Sequence, residues 1–78
     1  MATLAAVKLE NVWGERVAAR RSALGFSQRQ LAELAGTTQA TVWKVEHGKI
    51  APRDSLKIAI GRALGDDPAR LFSLGVAQ

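Results

Sequence analysis

At 78 residues the chain has room for one domain with a modest core, and the absence of cysteine excludes disulfides and thiolate-held metals. The single histidine, His47, has no suitably spaced metal partners, and the longest early apolar run, Leu4 to Val7, is too short for a signal-peptide core or a membrane span. Eleven Lys and Arg against seven Asp and Glu leave a net charge of +4, which favours an anionic partner, and their scattering without a cluster of four or more argues against a membrane surface.

Residues 1–12 lack a clear cap or apolar stripe and read as an N-terminal extension, either disordered or helical, ahead of a folded domain over residues 13–78. From there, glycines at 25, 36, 48, 65 and 75 each follow a stretch with helical periodicity, so five helices are expected and no strand. The first begins near Asn11 to Glu15, carries Trp13, Val17 and Leu24 on one side, and leaves Arg16 and Arg20 to solvent. Phe26 then precedes Ser27, which with Gln30 forms a Ser-x-x-Gln capping box for a second helix bearing Leu31, Leu34 and Ala35. Gly36 closes that helix, and Ala32 and Gly36 fall where two helices crossing over a short turn would come closest.

Thr37 and Thr38 offer a cap for the third helix, in which Val42, Val45 and Glu46 point inward. Gln39, Ala40, Trp43, Lys44 and His47 then point outward together. These types suit a DNA major groove, because glutamine can bond adenine, a small apolar side chain can meet the thymine methyl, and lysine can reach guanine. A solvated helix face is the alternative. After the loop 49–52, a fourth helix carries Leu56, Ala59, Ile60, Ala63 and Leu64. Gly61 weakens it by about 1 kcal/mol relative to alanine, so close packing is expected there. Asp67 and Pro68, a cap then a proline at the first helical position, start a last helix with Leu71, Phe72 and Leu74 on its apolar side.

Gln28, Ala32, Gly36, Val42, the Glu46-x-Gly48 pair, Pro52, Leu64-Gly65 and Leu71 together resemble the phage Cro and repressor type of helix-turn-helix domain, over about residues 14–74. The Gly36 to Gln39 run is particularly similar to lambdoid repressors. The resemblance implies an all-α bundle of about five short helices with the third in the major groove. It implies base contacts from Gln39, Ala40 and Lys44, a phosphate contact from Gln28, and a structural ion pair between Arg21 and Glu46. With the outward face added, the expected base-reading set is Thr38, Gln39, Ala40, Trp43 and Lys44. Arg29, Lys49 and Arg53 flank that face and join Gln28 as expected phosphate contacts. Trp43 departs from the family's usual small polar residue, with a groove contact, packing against the first helix and packing against a dimer neighbour all open.

The function expected is sequence-specific binding of double-stranded operator DNA by a small regulator in the bacterial cytoplasm, Cro-like or a minimal phage or mobile-element repressor. A homodimer is expected at least on DNA, with Leu71, Phe72, Leu74 and Val76 at its surface. Alternatives are a restriction-modification controller, an antitoxin, or a protein-interaction module that has lost DNA binding. No enzyme activity, cofactor, metal, membrane or small-molecule ligand is expected. As the chain ends about four residues after the last expected helix, neither an effector nor a self-cleavage domain is expected.

Overall fold

The computed structural model describes residues 12–72, which form five helices: α1 Val12–Ala23, α2 Gln28–Ala35, α3 Gln39–Glu46, α4 Asp54–Leu64 and α5 Pro68–Phe72. Among the described residues there is no strand, and no helix is long and apolar enough to cross a membrane. The readings placed on residues 1–11 and on Leu74 and Val76 lie outside the described residues.

All five helices contribute to one core of Val17, Leu31, Ala32, Val42, Val45, Ile60, Leu64, Leu71 and Phe72, with Trp13, Phe26, Ile50 and Leu56 packed around it. Leu71 and Phe72 are therefore core residues of the monomer, where the sequence suggested a dimer surface. Their helix is short and must bury both large side chains against α1 and α4 to be held at all.

Two leucines depart from expectation. Leu34 is 58% exposed: the buried sector of α2 runs from Leu31 to Ala32 and Ala35, and Leu34 falls about 100° from its middle at 3.6 residues per turn. Leu24 is exposed too, because it lies in the turn that closes α1, where Gly25 at φ 77° swings the chain round and Phe26 packs on the core instead.

Gly36 is required by conformation rather than by space. It sits at φ 71°, and a Cβ built there meets nothing within 4 Å. It permits the Thr37 N–H to reach the Ala32 carbonyl at 2.9 Å, closing α2 with a Schellman turn that satisfies its last carbonyls. Gly61 shows the opposite case, since a Cβ there would stand 2.6 Å from Pro68 Cγ and 2.9 Å from Pro68 Cδ. Close packing of α5 on α4 thus depends on the missing side chain. Gly61→Ala is expected to lower stability by about 1–2 kcal/mol despite its helix-propensity gain, because a rigid ring cannot yield. Urea unfolding checks this, and a stabilised variant would show that α5 shifts freely.

Arg16 and Arg20 are not merely solvent-facing. Arg16 Nη1 donates to the carbonyls of Arg70 at 2.9 Å and Leu71 at 3.5 Å, and Arg20 Nε donates to the Leu64 carbonyl at 3.1 Å. Each guanidinium meets the negative end of a helix, α5 and α4 respectively, and so ties the first helix to the last two.

Candidate nucleic-acid interface

The helix-turn-helix unit is α2, the turn and α3. Ser27 Oγ accepts from the Gln30 N–H at 3.0 Å while Gln30 Oε1 accepts from the Ser27 N–H at 2.8 Å, a reciprocal capping box. The first two helical amides, those of Gln28 and Arg29, have no intrahelical acceptor and open the positive end of α2 outward. Thr38 caps α3, with Oγ1 accepting from the Thr41 N–H at 3.2 Å and lying 3.0 Å from Thr41 Oγ1. Its hydroxyl is therefore engaged within the turn.

Beneath α3 lies a four-residue polar network. Glu46 Oε2 accepts from Arg21 Nε at 2.6 Å, and Glu46 Oε1 accepts from Arg21 Nη2 at 3.1 Å and from Gln28 Nε2 at 3.0 Å. Arg21 Nη1 donates onward to the Phe26 carbonyl at 2.8 Å. The Glu46 side chain is only 3% exposed, so both of its oxygens must be satisfied from within the protein, and the two-pronged guanidinium supplies most of that. One carboxylate thus holds α1, the entry to α2 and the end of α3 in fixed relation.

The outer side of α3 is different in kind. Gln39, Ala40, Trp43, Lys44 and His47 are all exposed, whereas Val42, Val45 and Glu46 are buried. No carboxylate stands on that outer face. Trp43 is 43% exposed and stacks on His47, with ring centroids 4.0 Å apart. That pair was not foreseen, although its i, i+4 spacing is a signal that could have found it.

Of the flanking cations, Arg29 is exposed and pairs only loosely with Glu33 at 3.6 Å, a contact worth little in solvent. Arg53 precedes α4 and lines a cleft of about 500 Å³ together with Gly36, Thr37 and Thr41, which sets it beside the start of α3. Lys49 is exposed just beyond the end of α3, its N–H bonded to the Lys44 carbonyl at 2.8 Å. Among the described residues no three His, Cys, Asp or Glu side chains are grouped to hold a metal.

A family model described as a helix-turn-helix domain matches residues 13–72, nearly the whole of the described chain. The chain belongs to the helix-turn-helix family. Within that family its fold is similar to that of the P22 c2 repressor, solved in complex with the synthetic operator 9T, at 27% identity and a TM-score of 0.77 over 80% of this chain and 94% of that one. It is likewise similar to the restriction-modification controller protein C.AhdI from Aeromonas hydrophila, at 32% identity and a TM-score of 0.77 over 81% of this chain and 96% of that one. The clp gene regulator ClgR from C. glutamicum shares the fold at 24% identity and a TM-score of 0.73, over 81% of this chain and 82% of that one. No curated protein sequence matches the chain. This helix-turn-helix protein thus has the fold of small DNA-binding regulators of the phage-repressor type.

Proposed function

We propose that this protein is a sequence-specific DNA-binding transcription regulator, most simply a Cro-like or minimal phage or mobile-element repressor acting in the bacterial cytoplasm. It lays α3 in the major groove of a palindromic operator. The observation that carries this reading is the two-sided character of α3: an outer face of Gln39, Ala40, Trp43 and Lys44 with no acidic side chain, on an inner face locked by Val42, Val45 and Glu46. An interaction module freed from DNA would have no reason to keep carboxylates off that surface.

Gln39, Ala40, Trp43 and Lys44 then read base edges, with Thr38 at the mouth of the helix. Gln28 and Arg29 engage one phosphate through the free amides at the start of α2, and Arg29, Lys49 and Arg53 add charge on either side. Two copies bind a two-fold symmetric site, their α3 helices about 34 Å apart, one turn of duplex.

Selection of bound sites from random duplexes tests the reading directly. A palindromic consensus with half-sites about ten base pairs apart supports it, and recovery of no consensus refutes it. Arg53→Ala is expected to weaken all sequences alike and to reduce the slope of log affinity against log salt by roughly one. A salt titration with an unaltered slope would make Arg53 a bystander.

The likeness to C.AhdI over nearly its whole length favours one second reading within the same class, a restriction-modification controller. It uses the same face on DNA. The two readings part at the gene whose promoter holds the selected site, which for a controller belongs to a restriction or modification enzyme.

A further inference from the structure

Trp43 is 43% exposed, yet it is not loose. Its indole lies 4.0 Å from the His47 imidazole between centroids, with the planes 19° apart, and His47 Nδ1 stands 2.9 Å from the Trp43 carbonyl oxygen. A helical side chain leans over the turn before it, which brings His47 over Trp43 one turn earlier. The Nδ1–H form of the imidazole donates to that carbonyl, so the hydrogen bond sets the plane of the ring, and the ring in turn occupies one face of the indole.

The product is a two-ring plate whose side-chain rotamers are chosen on folding. Ordering a large side chain at the moment of binding ordinarily costs affinity, and the stack lowers that cost here. The plate shares its helix face with Gln39 and Lys44, which offer donors and an acceptor, and with Ala40, whose methyl is the other, smaller apolar group there. Among the groups that base pairs display in the major groove, the thymine C5-methyl is the apolar one. An apolar aromatic surface presented to that groove is best matched by this methyl, the largest apolar group on a base edge.

We propose that Trp43 packs on a thymine methyl in each operator half-site and that His47 is the positioning residue that holds the indole for this contact. The proposal rests on the major-groove reading above. Operators recovered by selection are resynthesised with deoxyuridine in place of each thymine in turn, which deletes the methyl alone, and affinity is measured for each duplex. One thymine per half-site is expected to weaken wild-type binding by about fourfold when replaced, the worth of one buried methyl-sized group.

The same replacement is expected to have no effect on Trp43→Ala. His47→Ala should lose most of the fourfold discrimination, and His47→Phe, which keeps a ring over the indole but not the Nδ1 hydrogen bond, should retain part of it. Both positions are exposed, so these variants keep the core intact. A wild-type protein indifferent to every thymine methyl, or a Trp43→Ala variant that still discriminates, overturns the methyl contact. Undiminished discrimination by His47→Ala overturns the positioning role. Since the duplexes tested are ones already selected, neither result touches the major-groove reading, which fails only if selection returns no consensus.

Discussion

Replacing Arg21 with alanine is expected to lower the unfolding free energy by about 3–5 kcal/mol. The Glu46 side chain is 3% exposed and would keep a single partner, the Gln28 amide, after losing both guanidinium contacts. A buried carboxylate left so is far costlier than the pair was stabilising, because its desolvation is no longer offset. For a domain of this size the loss corresponds to a fall in Tm of about 15 °C or more. Thermal unfolding followed by circular dichroism measures it. The double variant Arg21→Ala with Glu46→Leu is expected to recover much of the loss, since no unpaired charge is then buried. An Arg21→Ala protein as stable as the wild type would mean that water or another group reaches Glu46.

Gln39→Ala should leave stability nearly unchanged and cost about 1–3 kcal/mol of operator affinity, with relaxed preference at one base pair per half-site. Gln39 is exposed at the first position of α3, where it makes no core contact. Its amide is a donor and an acceptor side by side, the pattern that adenine offers in complement. The measurement is a repeat of the selection with the variant: a consensus identical to that of the wild type would remove Gln39 from the reading set. The contrast between the two substitutions is diagnostic. One breaks the protein and spares its preference among sequences, and the other does the reverse.

What could be read from the chain was mostly local. Ser27 with Gln30, Thr38 with Thr41, Gly36 and the Asp67-Pro68 pair act within four residues of themselves, and the helix boundaries they imply agree with the structure to within a residue or two. The division of α3 into inner and outer faces also followed from spacing alone. Burial near helix ends did not, because it depends on where the neighbouring elements arrive: Leu24 lies in the turn that closes α1 and Leu34 falls off the sector of α2 that meets the core, so both face solvent. Nor did the contacts of Arg16 and Arg20, whose acceptors are main-chain carbonyls 44 to 55 residues away and carry no signature in residue type. The Gln28 side chain shows the same limit, as its bond to Glu46 exists only once α2 and α3 have packed.

The strict separation of the two sides of α3 bears on descent as well as on binding. Val42, Val45 and the Glu46 carboxylate hold the helix, while Gln39, Ala40, Trp43 and Lys44 contribute nothing to the core. Substitutions on the outer side are therefore expected to change stability little, as at other exposed positions, whereas changes at Val42, Val45 or Glu46 are expected to destabilise the fold. On the proposed DNA-reading role of α3, a lineage built on this scaffold is expected to exchange one operator for another through a series of folded intermediates. On the proposed methyl contact, the Trp43 and His47 pair is the exception, since a change at either ring bears on the same contact, and specificity at that thymine is expected to drift more slowly than at its neighbours.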